Sequence, residues 1–356
     1  AGGTLVFIAS FTELGTPLIM NYNRCASVQI YDSLKEIGSH PFPYALVAVM
    51  LAASVGLYAL SRALFGGRAY AMQSKAATQA TTRQLHGWRG LLAAAPFALV
   101  IGLALLPHFG VVLTSFAAPG SWYQNYLEAL GHDMTISSIR NSLLFSSLAV
   151  GFDILFGIAI AFVVVRSTIR LRGLLDALAM IPLAVPGLVM AFGFIAVSSW
   201  LSNLPAMADS DWWPRLVDVR VNPTLFLVLA YSVRRLPYMV RSAVAGLQQT
   251  SVTFEEAAGN LGASPLVTLR RITLPLIVAN LIAGALLTFA FSMLEVSDSL
   301  MLAQQSEYRP ITKAIFELFQ LLGTGRYVAA ALGVWAMAFL TATLIGSSLL
   351  LGKKLG

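Results

Sequence analysis

Asp153, Glu295 and Asp298 are carboxylates set within or at the ends of long apolar stretches, where chemistry in this chain would have to begin. A charge in a bilayer is costly and is kept where it faces a polar path or a partner. Asp153 lies mid-stretch in 139–165, as half of a structural pair or as a pathway group. Glu295 and Asp298 lie near the outer end of 276–294, about 30 Å along a helix from Pro275 at 1.5 Å per residue. Glu13 holds the matching place in 1–20. Oxygen ligands suit a hard trivalent cation, while carboxylates at a hydrated helix end need no special role. Pro182 and Pro186, with Gly187 and Gly193, interrupt 174–200. Each proline removes a backbone hydrogen bond, so the interruption is a hinge beside a cavity or a packing accommodation.

Nothing else in the chain offers catalysis. Cys25 is the single cysteine, which excludes an internal disulfide and a cysteine-based zinc site. His40, His86, His108 and His132 are widely separated, with no metal-ligand spacing. Gly352-Lys353-Lys354 superficially resembles a phosphate loop, but Ser347 replaces its first glycine and Leu355 its hydroxyl residue. No catalytic residue, metal site or bound cofactor is expected.

The elements that must hold these groups are membrane helices. Of the 356 residues, 57% are hydrophobic and only 11% charged, against about 25% charged in a soluble domain. This excludes a disordered chain, a disulfide scaffold and an ordinary cytosolic enzyme. A bilayer core of about 30 Å takes roughly 20 helical residues. Eight stretches are long enough: 1–20, 44–65, 90–114, 139–165, 174–200, 223–240, 276–294 and 327–351. An all-α polytopic membrane protein is expected.

Charge sorts by side. The stretches 62–89, 166–172, 234–275 and 353–354 hold 15 of the 23 lysines and arginines. The positive-inside rule makes them cytoplasmic, with a cytoplasmic C-terminus. The +7 net charge is therefore orientation, not a nucleic-acid patch. Residues 66–87, without an acid, read as a cytoplasmic linker.

The chain also repeats. Residues 1–20 align without gaps on 283–302, with identities that include Gly2/Gly284, Ser10/Ser292 and Glu13/Glu295. Residues 1–65 thus read as the last two spans of one unit and 88–356 as a complete six-span unit, parallel repeats about an axis normal to the membrane. Since Ala1 matches Ala283, four further spans of the first unit are expected upstream.

The cytoplasmic loop 241–275 carries the most specific pattern. Thr253 and Glu256 are spaced as a capping box. Phe254, Ala257, Ala258 and Leu261 follow as one small apolar face. Gly262 stands where a left-handed residue ends a helix, and Ser264-Pro265 can start another. Glu256-Ala257-Ala258, three residues, Gly262, nine residues, then Ile272-Thr273-Leu274-Pro275 resembles the EAA signature of binding-protein-dependent ABC importer permeases. Arg234 to Tyr238 and the run from Ile181 to Gly187 are similar to the fused ferric-iron branch.

The resemblance implies a type I importer permease fold. It implies ATPase coupling through Glu256, Ala257, Ala258 and Gly262, with Phe254 and Leu261 on the same helix. The implied partners are a cytoplasmic ATPase dimer, which carries ATP and magnesium, and a periplasmic binding protein. The implied setting is the bacterial inner membrane, with no nucleic acid. Ferric iron is the leading substrate; thiamine, 2-aminoethylphosphonate and polyamine are alternatives. A secondary transporter or channel, and a docking scaffold, are the rival functions.

Overall fold

The computed structural model describes residues 2–33, 41–65, 86–117, 121, 123–205 and 210–355. Lipid-exposed backbone must satisfy its own polar groups, and among the described residues all regular structure is helical. The chain opens with α1 (Gly2–Phe11), α2 (Gly15–Ile19), α3 (Ala26–Asp32) and α4 (Phe42–Phe65). Most of the expected linker lies outside the described residues. After it come α5 (Trp88–Phe116), α6 (Gln124–Gly131), α7 (Asp133–Arg166), α8 (Arg172–Met180) and α9 (Gly187–Ser202). Next are α10 (Trp212–Val217), α11 (Thr224–Gln249), α12 (Thr253–Asn260) and α13 (Pro265–Thr268). The chain ends with α14 (Leu274–Met293), α15 (Ser297–Leu302), α16 (Ile311–Gln320) and α17 (Gly325–Leu355).

Five stretches among the described residues are long and apolar enough to span: Phe42–Ser61, Trp88–Phe116, Asp133–Arg166, Pro265–Met293 and Gly325–Gly346. A sixth forms only if Arg172–Leu183 and Gly187–Ser202, bent by 101°, are taken together. Three of the eight expected spans therefore depart from simple crossings. The stretch 174–200 divides because Pro182 and Pro186 withhold backbone N–H groups; a 3-10 turn at Ile181–Leu183 intervenes and α9 restarts at Gly187. The stretch 1–20 breaks between Phe11 and Gly15. The stretch 223–240 is part of the longer α11, whose Arg234, Arg235 and Arg241 dilute its hydropathy.

The loop after α11 differs from expectation at its far end. Ser264 and Pro265 do begin α13, as N-cap and first residue. No break precedes Pro275, however: α13 runs through a π-helical turn, Leu269–Thr273, into α14. Proline crowds the carbonyl four residues before it, and the wider turn accommodates that conflict.

At the centre α11 packs against α7 and α14, where Ala161, Met239, Val240, Ala243, Leu247, Ile277 and Leu281 are buried together. Small residues set the spacing, as is usual where helices associate in lipid. A Cβ at Gly284 would lie 2.8 Å from Ser242 Cβ, and one at Gly246 would lie 2.9 Å from Ile277 Cβ. A second core joins α2, α3 and α4 to α9, α11 and α15 through Leu14, Ile30, Met50, Leu188, Leu227 and Met301. Tyr44 of α4 meets Phe192 of α9 edge-on at 5.2 Å. Against this mass α5 leans on α17 with its other faces open.

Helix breaks recur along the chain. Phe11 and Met293 both end a helix, and Gly15 and Ser297 both restart one, each pair 282 positions apart. The hydrogen bonds recur as well: Ser27 donates to the Glu13 carbonyl at 2.7 Å and Thr312 to the Glu295 carbonyl at 2.7 Å.

Gly284→Leu is expected to overpack α14 against α11, at a cost of about 1–3 kcal/mol. The unfolding midpoint of the detergent-purified protein should fall by several degrees. Gly193→Leu, where a Cβ meets nothing within 4 Å, should leave it unchanged.

Candidate functional site

Two polar constellations stand out, one at the loop end of α7, α11 and α14 and one where the middle of α11 meets the far end of α14. At the loop end, Arg166, the last residue of α7, directs Nε to Glu255 at 3.1 Å and Nη2 to the Thr250 carbonyl and hydroxyl at 3.2 Å. Thr273 donates to Glu255 at 3.2 Å. Glu255 therefore fastens α12 to the ends of α7 and α11 and to the base of α14. A charge-assisted bond of this kind is about twice as strong as a neutral one. Sequence reasoning passed over Glu255. An arginine closing a long apolar stretch, with an acid in the neighbouring loop, was the available signal.

The expected capping box does not form. Val252 occupies the N-cap position and Thr253 is already helical. Ser251 takes its place, accepting the Thr253 N–H at 3.3 Å and meeting the Thr253 hydroxyl at 2.8 Å. Glu256 is exposed and reaches back to no cap. Gly262 does end the helix in the left-handed region, at φ 82°. The Ala263 N–H reaches the Ala258 carbonyl at 3.0 Å, the bond of a Schellman motif.

The expected single apolar face also divides. Ala258 turns inward, while Phe254 is 54% and Leu261 89% exposed. With Glu256, Ala257 and Leu266 they form an outward patch that nothing among the described residues covers.

At the other end stands an ion cluster. Arg234 Nη1 lies 3.0 Å from Glu295 and 3.6 Å from Asp298, and Arg235 Nη2 bonds the second Glu295 oxygen. Arg235 also donates to the Phe291 carbonyl at 3.2 Å. Glu295 is 4% exposed and Asp298 fully buried, which overturns the reading of hydrated helix ends. Two guanidiniums in the middle of α11 draw these carboxylates inside. Arg234 and Arg235 accordingly lie within α11 rather than in a loop. Beside them Tyr231 and Ser299 share a 2.6 Å hydrogen bond.

The prolines and the arginines meet. A cavity of about 180 Å³ is lined by Ile8, Ala9 and Thr12 of the first segment, Pro182, Leu183, Val185 and Pro186 of the α8–α9 break, and Arg234, Arg235 and Tyr238 of α11. Gly187 permits the close approach, since a Cβ there would overlap the Arg234 guanidinium. Asp153, Glu295, Asp298 and Glu13 do not line this space. Asp153 is buried on α7, with one oxygen accepting from Ser232 of α11 at 2.6 Å and the other unbonded. Glu13 is exposed and accepts from the Gly15 N–H at 3.0 Å. Among the described residues, no three histidine, cysteine or acidic side chains group as metal ligands.

Glu255→Gln and Arg166→Gln should each raise amide exchange across 253–260 by about tenfold, the loss of roughly 1.4 kcal/mol. The double variant should cost less than the sum of the two single ones, because both remove the Arg166–Glu255 pair. Hydrogen exchange with mass spectrometry reads both outcomes.

The model of the family described as binding-protein-dependent transport system inner membrane component matches residues 153–348. The molybdenum transport system permease protein of Escherichia coli strain K12 is 33% identical over 206 residues, 57% of this chain and 88% of that protein. A putative ferric transport system permease protein of Haemophilus influenzae is 25% identical over 310 residues, 82% of this chain and 46% of that protein. Among solved structures, a chain of a bacterial ABC transporter involved in import of the acidic polysaccharide alginate superposes with a TM-score of 0.59. Its identity is 18%, covering 75% of this chain and 96% of that one, a likeness of fold alone. The same holds for the alginate transporter in complex with a pentasaccharide-bound periplasmic protein, at 17% identity, a TM-score of 0.58, and 72% and 92% coverage of the two chains.

Proposed function

The chain belongs to the binding-protein-dependent ABC importer permeases of the inner membrane, and on that premise we propose how it couples and what it carries. A separate cytoplasmic ATPase dimer, holding ATP and magnesium, docks on α12, and a periplasmic protein delivers the substrate from the other side. The C-terminus is then cytoplasmic, as the charge distribution requires.

The observation that carries this reading is the outward patch on α12. Phe254, Ala257 and Leu261 face away from the bundle, on a helix fastened from behind by Glu255 and closed by Gly262. An apolar patch that small suits a protein groove, whereas a lipid surface calls for bulkier and more extensive cover. Closure of the ATPase would press on α12. The Arg166–Glu255–Thr273 bonds would pass that push to α7 and α14. The continuous rod from Pro265 to Met293 would carry it to Glu295 and hence to the arginines that line the cavity.

Residues 1–65 act as the last two spans of a first unit and 88–356 as the second, with 66–87 as linker. The recurrence of helix breaks at one offset supports this. So does the Haemophilus relative, whose likeness covers more of the chain than residues 88–356 can supply. That breadth favours ferric iron as the cargo, while the molybdenum relative matches a stretch that one unit could hold.

Gly262→Asp and Glu256→Lys should sharply lower recovery of the ATPase subunit with the purified permease. The first places a side chain where φ is positive; the second reverses charge in the first turn of α12. Neither touches the buried bundle, so yield and gel-filtration profile should hold. Wild-type recovery of the ATPase by both variants would refute docking on α12.

A further inference from the structure

The cavity between α1, the α8–α9 break and α11 has a lining chemistry that names its occupant. Its charged side chains are Arg234 and Arg235, joined by the Tyr238 hydroxyl, and no carboxylate faces it. Arg234 spends Nη1 on Glu295 and Asp298. Arg235 Nε is buried without a partner. A guanidinium carries five N–H donors in a planar fork, and this pair, both of which line the cavity, is not fully spent on Glu295, Asp298 and the Phe291 carbonyl. Buried donors are rarely left unpaired in a finished structure.

The charges are balanced behind this wall. Glu295 and Asp298 offset the two guanidiniums from the far side, and Glu13 is turned onto the Gly15 amide. The cavity therefore presents an array of donors rather than a large net field. Such an array selects oxygen geometry over charge alone, as guanidinium forks do for carboxylates and phosphates. Val185 and Pro186 bring the wall of the cavity up to the start of α9, whose first N–H groups lack helical acceptors. A bare trivalent cation would meet two guanidiniums and no carboxylate.

We propose that Arg234 and Arg235 form an oxyanion subsite in the translocation path, and that the cargo passes this point through anionic oxygens. Those oxygens belong either to a free tetrahedral oxyanion or to the anion that complexes a ferric ion. The proposal rests on the permease reading and narrows its substrate to species with such oxygens. A cavity of about 180 Å³ has room for a small oxyanion.

The test uses the full chain in lipid nanodiscs with its ATPase subunit bound. Equilibrium binding is measured for radiolabelled sulfate, molybdate and phosphate, for ferric citrate, and for ferric iron held by a neutral chelator. Saturable binding of at least one oxyanion or of ferric citrate is expected, with none for iron in the neutral chelator. Free oxyanion binding and ferric citrate binding separate the two sources of oxygen. Arg234→Gln should weaken the affinity at least tenfold and Arg234→Lys should recover part of it. Gly187→Ala keeps both charges but displaces the guanidinium, so it should weaken binding as well and covers the case in which Arg234→Gln misfolds. Arg326→Gln, exposed and remote, should bind as wild type. Absence of saturable binding to the ATPase-bound wild type overturns the subsite. So does unchanged affinity in Gly187→Ala, or equal binding of iron in the neutral chelator. Failure of the wild type to retain the ATPase would instead refute the permease reading.

Discussion

A guanidinium inside a helical bundle must keep an acceptor within reach, and two of them side by side on α11 dictate much of this architecture. Breaking a buried pair by removing one partner costs about 3–5 kcal/mol, whereas the intact pair adds little net stability. Arg234 and Arg235 are thus less a source of stability than a constraint on position. Glu295 must sit opposite them, so α14 has to end at Met293 and turn, and Asp298 at the start of α15 is carried in beside it. Gly187 must lack a side chain so that the Arg234 guanidinium can lie over the α8–α9 break. One ion cluster therefore accounts for a helix break, a glycine and the low hydropathy of α11.

At the loop end α11 and α14 are fastened again, there together with α7, by Arg166, Glu255, Thr250 and Thr273. Between the two fastenings, Gly246 and Gly284 bring α11 and α14 too close to slide freely. Close-packed interiors transmit displacement rather than absorb it. A push on α12 consequently has two stiff routes inward, α7 and the rod from Pro265 to Met293, and the second ends just before Glu295, the partner of the cavity arginines. The π-helical turn at Leu269–Thr273 is the one irregularity along that rod.

Much of this was legible in the sequence. Apolar run lengths marked the helices, and the proline pair marked the break in 174–200. Gly262 was readable because a helix end in the left-handed region calls for glycine. What stayed hidden depended on distance between chain-remote residues. Glu295 and Asp298 looked like hydrated helix ends, since their partners lie some 60 residues away on α11. Glu256 looked like the anchor of α12 because local spacing favoured a capping box. The actual anchor is its neighbour Glu255, whose partner Arg166 is 89 positions earlier. Local pattern fixes where a helix starts and stops within a few residues, but it is blind to which of two adjacent acids turns inward.

The repeat carries the argument about the path one step further. Glu13 and Glu295 share a backbone device: each interrupts a helix, and each accepts on its carbonyl from a hydroxyl further along the chain. Their side chains differ in what they meet. Glu295 is enclosed by two guanidiniums, while Glu13 is exposed and bonds only the Gly15 amide. The break at Glu13 nonetheless lies against the other, since a Cβ on Gly15 would stand 3.1 Å from the Val296 side chain. Thr12, just before that break, faces the same cavity as Arg234. Two copies of one element thus approach each other beside a space that neither encloses alone. Irregular backbone at membrane depth is tolerated where it is buried in protein or lines a cavity. Thr12, beside the first break, and the Pro182–Pro186 break line one cavity, and the break at Glu295 closes against the first of them, so the backbone there meets that condition.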